Sequence, residues 1–211
     1  MNYLFVRHQM SLANISPSLY KTMDDHDIDI SDQYNHETEK AVETMVDIWL
    51  SKHKNPFIFH SPFLRAKNTK NIIVSELSHH YIFPKVYENP LLVERSWTNL
   101  RDIISTETNV DKYFNFFFKP INGESFQDCY QRCITFDNML KLKFYKYPDE
   151  TVIIVGHGEQ IKCYLMHLLG WTVEEFYSYR NPKNSEVFLV HNNVLSNMTP
   201  LRKYHHLKTN S

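Results

Sequence analysis

Residues 3–8 read YLFVRH: four apolar side chains, Tyr3, Leu4, Phe5 and Val6, run directly into a cation and an imidazole. A strand that is apolar at every position is buried on both faces, as in a parallel sheet with helices on each side. Three more runs have this character: Pro56–His60 (PFIFH), Thr151–Gly156 (TVIIVG) and Glu186–His191 (EVFLVH). Between them, helical spacing predicts helices over Glu37–Lys52, Leu64–Leu77, Glu124–Tyr147 and Gln160–Leu169. Apolar strands alternating with helices imply an α/β fold, a three-layer α/β/α sandwich with a mainly parallel central sheet.

The 211 residues suit a single domain spanning 1–211. Within it, residues 90–147 include a helical cap-like insertion, and 197–211 read as a loosely held tail. The polar, turn-rich segment Asn14–Gln33 reads as a surface loop with a short helix. A net charge of −1 leaves no footprint for a nucleic-acid polymer, although a local basic pocket for a small anion remains open. Cys129, Cys133 and Cys163 have no CxxC spacing, which argues for a reducing compartment and against a disulfide framework. No leader-like run opens the sequence and no apolar run reaches membrane-spanning length, so a cytoplasmic location without membrane contact is expected. The twelve histidines show no HExxH or comparable ligand spacing, so no metal site is expected.

Ligands of parallel α/β sheets collect beyond the carboxyl ends of the strands. Three of the four strands end there in reactive groups: Arg7-His8, His60-Ser61-Pro62 with Arg65 following, and His157-Gly158. With Glu94 of "LLVERSW" these make two arginines, two histidines and an acid. Two guanidinium forks can satisfy several oxygens of a tetrahedral dianion. An imidazole with a free lone pair attacks phosphorus, and a second one can donate to the equatorial oxygens. A carboxylic acid can protonate the leaving alkoxide and then deprotonate the attacking water. Each group alone has a plainer reading: a surface Arg-His pair, a solvated Arg65, or a Glu94–Arg95 ion pair worth little. His157 is the stronger cue, because Gly156 and Gly158 flank it and allow close backbone approach.

The order of these groups resembles the histidine phosphatase, or phosphoglycerate-mutase-like, superfamily. Its opening Arg-His-Gly with a following Asn is matched by "RHQMSLAN", with Arg7, His8, Ser11 and Asn14. "SPFLRAKNT" supplies Ser61, Pro62, Arg65, Ala66 and Thr69, and "LVERSWTNL" carries Glu94. Gly123-Glu124-Ser125 with Arg132, and then "VIIVGHG", complete the series over residues 3 to 190. The resemblance implies a phosphoglycerate-mutase-like fold that works without a metal or organic cofactor. It implies that His8 is the nucleophile, that Arg7, Arg65 and His157 bind and stabilise the phosphoryl group, and that Glu94 is the proton donor. Asn14 becomes a further phosphate contact, with Gly158 beside the same site. The sequence departs from the pattern at Gln9 and Thr98, which replace glycines, at Met10, which replaces a common Glu, and at Gly156, where Ser or Thr is usual. Gln9 either forces a different turn or contributes an amide to the substrate pocket.

The expected function is hydrolysis of a small phosphorylated substrate, a nucleotide or sugar phosphate, through a phosphohistidine intermediate. A phosphoglycerate-type mutase is the alternative, but the segment 99–121 lacks an adjacent pair of arginines for a bisphosphate. A catalytically impaired phospho-ligand-binding module is the other, favoured by Gln9 and Thr98. The aromatic run Tyr113–Phe118 is either a lid on the core or a wall that stacks a nucleobase. Edge strands or that Phe-rich helix could support a homodimer.

Overall fold

A computed structural model describes residues 1–52, 55–97 and 112–197. Thr98 and the tail beyond Asn197 lie outside these residues. The core is a six-stranded sheet of β1 (Asn2–Arg7), β2 (Phe57–His60), β3 (Lys85–Glu88), β4 (Thr151–Gly156), β5 (Val187–His191) and β6 (Val194–Asn197). The strand order is β3-β2-β4-β1-β5-β6. From β3 to β1 the neighbours run parallel, and β5 and β6 close one edge antiparallel. The sheet is therefore mainly parallel, as the apolar strands imply.

Strand side chains alternate between faces, and the two faces of this sheet differ in kind. Leu4, Val6, Ile58, Ile153 and Val155 pack against α2 (Asn35–Ile48) and α3 (Leu64–His79) in an aliphatic layer with Val42, Met45 and Ile73. Tyr3, Phe5, Phe59 and Ile154 face α5 (Phe126–Lys143) and α6 (Gly158–Leu169), where Phe136, Leu140 and Tyr164 make an aromatic layer. Among the described residues there are also three short α-helices: α1 (Leu12–Ile15), α4 (Lys112–Phe117) and α7 (Val173–Ser178). The helix α5, inside the segment read as cap-like, forms part of the sandwich itself.

The apolar strands and the long helices lie where their sequence pattern puts them. Two edge strands escape that pattern. The first, β3, carries only Val86 and Tyr87 as apolar residues and is mostly exposed. The second, β6, is joined to β5 by Asn192-Asn193, both at positive φ (51° and 58°), a conformation Asn tolerates in tight hairpins. The Phe-rich run is core in part. Phe116 is buried against Phe126 and Phe176 as a core residue, whereas Phe114, Phe117 and Phe118 are exposed.

One polar cluster ties the aromatic layer together. The carboxylate of Asp137, fully buried on α5, accepts from the Tyr3 hydroxyl (2.5 Å), the Tyr164 hydroxyl (3.1 Å) and His167 Nε2 (2.9 Å). It also pairs with Lys141 Nζ at 2.7 Å. A buried carboxylate is tolerated only when satisfied in this way. Asp137→Ala strands two buried phenols and is expected to cost about 3–5 kcal/mol, read as a lower urea midpoint.

Candidate active site

Parallel pairing puts Arg7 opposite Gly156, so the residues that follow, His8 and His157, leave the sheet side by side. The ladder extends one step further, with His8 N donating to Gly156 O at 2.9 Å and Ser61 N to Val155 O at 3.1 Å. Three strand ends thus converge, and the imidazole rings of His8 and His157 lie 5.2 Å apart between centroids.

The partners of the two imidazoles differ in kind. His8 Nδ1 lies 2.7 Å from the Gln9 carbonyl, which can only accept. The proton is therefore on Nδ1, and the Nε2 lone pair is free. Burial, with Arg65 and Arg7 adding to it, holds His8 well below the ordinary imidazole range, so it is neutral in mildly acidic solution. His157 Nε2 is 2.8 Å from Ser61 Oγ, which itself accepts from Phe63 N at 3.2 Å. Ser61 Oγ keeps its hydrogen while accepting from Phe63 N, and when it donates that hydrogen to His157 Nε2 the His157 proton sits on Nδ1. Burial, followed by the charge of Arg65, also keeps His157 neutral.

The His157 Nδ1 atom is buried and has no hydrogen-bond partner among the described residues, and the same is true of Arg7 Nε and Arg65 Nε. Buried donors are ordinarily paired. Two arginine N–H groups and an imidazole nitrogen, all unpaired and close to a second imidazole whose lone pair is free, form a cradle that suits an oxyanion. The other donors of the arginines hold them in place. Arg7 Nη1 donates to Pro182 O at 2.6 Å, and Arg65 Nη1 donates to Asp25 O at 2.5 Å. Gly158 lies under Arg7, and a Cβ there would sit 3.5 Å from the Arg7 Cζ and Nε atoms.

Glu94 is carried in from β3. Asn89 N donates to His60 O, and a 3-10 turn at Pro90–Leu92 follows. The Glu94 carboxyl accepts from Arg95 N (2.9 Å), Gln160 N (3.1 Å) and Glu159 N (3.4 Å), the last two at the start of α6. Burial, then the charge of Glu159, raises Glu94 to about 7 despite those donors. Glu159 is the partner of Arg95, through Nε–Oε2 (2.8 Å) and Nη2–Oε1 (3.3 Å), and it accepts from Trp97 Nε1 at 3.0 Å. The pair read locally as Glu94–Arg95 is therefore Arg95–Glu159. Burial pushes both carboxyls up, and the guanidinium opposes that rise at Glu159, so Glu94 takes a proton the more readily. Arg132, in a two-point pair with Glu124, donates to Leu91 O and Val93 O and so braces the backbone leading to Glu94.

Of the remaining sequence candidates, Asn14 caps its own short helix. Its Oδ1 accepts from Ser11 N, Ser11 Oγ and Asn184 Nδ2, which leaves the Nδ2 hydrogens for a ligand. Gln9 belongs to the scaffold. Its side chain is fully buried, with Nε2 donating to Ser31 O (2.9 Å) and Asn35 Oδ1 (2.8 Å) and Oε1 accepting from Thr38 Oγ1 (2.7 Å). Its amide is thus consumed by the chain rather than offered to a substrate. Gln9 is not among the described residues with positive φ, so the turn does not require glycine. At Gly156 a Cβ would meet Gln160 Oε1 at 2.1 Å, so Gln160 fills the space a serine would need. Two site residues had no sequence signal. Asp25 pairs with Arg65 (3.0 Å), and Tyr20 has Arg65, Asp25, Glu94 and Arg7 as its charged neighbours. Both come from the segment read only as a polar loop.

The sequence profile described as "Histidine phosphatase superfamily (branch 1)" matches residues 4–193. The chain is 28% identical over 177 residues to a broad-range acid phosphatase of Saccharomyces cerevisiae, covering 77% of this chain and 53% of that protein. It is 25% identical over 198 residues to a phosphoglycerate mutase-like protein of Arabidopsis thaliana, covering 87% of this chain and 62% of that protein. It therefore spans less than two thirds of the length of either relative. In fold it is similar to the mycobacterial glucosyl-3-phosphoglycerate phosphatase, with a TM-score of 0.68 at 18% identity over 90% of this chain and 89% of that one. A mycobacterial hydrolase gives a TM-score of 0.70 at 18% identity, over 89% and 87%.

The scaffold role of Gln9 has a measurable consequence. Gln9→Gly removes three hydrogen bonds and adds chain entropy to the unfolded state, so it is expected to destabilise by about 2–3 kcal/mol. Substrate preference should stay fixed when a panel of phosphomonoesters is compared before and after the change.

Proposed function

The chain belongs to the histidine phosphatase superfamily, branch 1, and on that premise we propose that it hydrolyses small organic phosphomonoesters through a phosphohistidine intermediate at His8. The observation that carries this reading is the cradle of unpaired donors, Arg7 Nε, Arg65 Nε and His157 Nδ1, beside the free Nε2 of a neutral His8. A tetrahedral dianion supplies the acceptors those donors lack.

In the proposed reaction the His8 Nε2–P bond forms as the ester P–O bond breaks, and the Glu94 proton passes to the leaving oxygen. Water then attacks the phosphoryl group, the N–P bond breaks, and the proton released by water returns to Glu94. His157 and the two arginines stabilise the equatorial oxygens as charge builds. No organic cofactor or metal is assigned a step. The broad-range acid phosphatase among the relatives supports hydrolysis over mutase chemistry. The impaired-module alternative loses one of its two supports, since Gln9 neither strains the turn nor blocks the site.

His8→Ala is expected to lower hydrolysis of p-nitrophenyl phosphate by more than about a thousandfold. A native rate no higher than that of the variant would overturn the proposal. Glu94→Gln should cost about 10²–10⁴-fold on glycerol phosphate, whose alkoxide needs a proton, and far less on p-nitrophenyl phosphate, whose leaving group does not.

The pH dependence follows from the direction of the shifts. Glu94 must hold its proton, so activity on alkyl phosphates should fall as pH rises through about 7. His8, held low, remains a nucleophile well into the acid range. Removing the neighbouring charge with Glu159→Gln should lower the Glu94 pKa and move the alkaline limb down by about one pH unit. The ionisation of the substrate is common to both enzymes and cancels in the comparison.

A further inference from the structure

The side chain of Arg65 is 3% exposed, whereas that of its partner Asp25 is 43% exposed, so the pair runs from the buried phosphate clamp to the solvent edge of the site. Asp25 Oδ2 accepts from Arg65 Nη2 at 3.2 Å, Oδ1 lies 3.0 Å from Nη1, and the backbone carbonyl takes Nη1 at 2.5 Å. Arg65 Nε is left over for a phosphoryl oxygen. Asp25 is held by Arg65 itself and by the anchoring of the residues that follow it. Its segment is closed by Leu12 N to Asp29 O and Ser31 N to Met10 O, both 2.9 Å, and by the fully buried Ile28. Asn68 Nδ2 adds a bond to Asp29 Oδ1 at 2.7 Å. A fixed carboxylate therefore stands at the rim of a cationic hole, with the neutral phenol of Tyr20 beside it.

Resting on the hydrolase reading above, we infer that Asp25 is a specificity-determining residue that restricts the site to phosphomonoesters of uncharged alcohols. The phosphoryl group is drawn in by Arg7 and Arg65, and whatever it is esterified to extends outward past Asp25. A leaving group bearing hydroxyls meets an acceptor there. One bearing a carboxylate or a second phosphate meets a like charge in a partly desolvated place, where repulsion is strong. The same charge works against a phosphoglycerate-type mutase, whose substrates are anionic on both ends.

Glycerol 3-phosphate and 3-phosphoglycerate share a skeleton and differ in a hydroxymethyl or a carboxylate, which makes them a matched test. The native enzyme is expected to favour glycerol 3-phosphate in kcat/KM by about tenfold or more. Asp25→Asn keeps an acceptor for Arg65 and should narrow that ratio by about fivefold, chiefly by lowering KM for the carboxylated ester. Asp25→Glu should restore most of it. An unchanged ratio overturns the inference. So does an equal rise or fall for both esters, which would make Asp25 a plug or a brace for Arg65. Equilibrium binding of the two esters to His8→Ala, with and without Asp25→Asn, reads the same ratio without turnover. Absence of any hydrolysis would thus sink the hydrolase reading, while the binding ratio still decides the role of Asp25.

Discussion

The parallel register that sets Arg7 opposite Gly156 governs the rest of the molecule. Neighbouring strands lie about 4.8 Å apart, so two residues that leave adjacent strands at the same level cannot avoid each other. That spacing brings the rings of His8 and His157 to 5.2 Å. A slip of one residue in β1 would turn His8 to the opposite face, away from His157. It would also exchange the aliphatic and aromatic layers, exposing Leu4 and Val6 to a surface shaped for Tyr3 and Phe5. Core packing and catalytic geometry are thus the same constraint seen at the two ends of one strand.

Holding the cradle ready costs stability. A buried donor without a partner forfeits about 1–3 kcal/mol, and Arg7 Nε, Arg65 Nε and His157 Nδ1 stand together in that condition. The surroundings offset this by engaging the neighbouring groups. Gln9 fastens the nucleophile loop to Ser31, Asn35 and Thr38, and its N–H donates to Thr69 Oγ1, which in turn donates to Arg65 O. Arg132 and Glu124 do the same for the segment before Glu94. Asp25 Oδ1 also lacks a hydrogen bond among the described residues, but the three nitrogens are relieved most directly by taking up an anion.

Which parts of this are readable from the sequence follows from the range of the interactions. The strands β1, β2, β4 and β5 announce themselves because burial on two faces demands unbroken apolar runs. The residues at their ends stand out against that background. The pairings that tune the site are remote in sequence. Arg95 stands next to Glu94 but pairs with Glu159, 64 residues away, and Arg65 reaches 40 residues back to Asp25. Gln9 has the look of a defect because the partners of its amide lie 22 to 29 residues downstream, beyond any local window. Gly156 likewise makes sense only once Gln160 is seen to fill its place. Local composition shows where chemistry sits, whereas its electrostatic setting is written in contacts that no window of sequence contains.

That setting also couples the proposed proton donor to its substrate. Arg65 is matched by Asp25 and Glu159 by Arg95, and Glu94 remains as a carboxyl poised near neutrality. Arg65 acts to lower the Glu94 pKa. An arriving phosphate dianion neutralises that arginine and adds its own negative charge, and both effects favour the protonated acid. On the proposed mechanism, substrate binding therefore loads the donor it will need. Once the proton has gone to the leaving oxygen, the carboxylate faces a phosphoryl group it repels and a water it can deprotonate. In the proposed reaction the group that assists departure is thereby turned, by the same charge balance, into the base for hydrolysis.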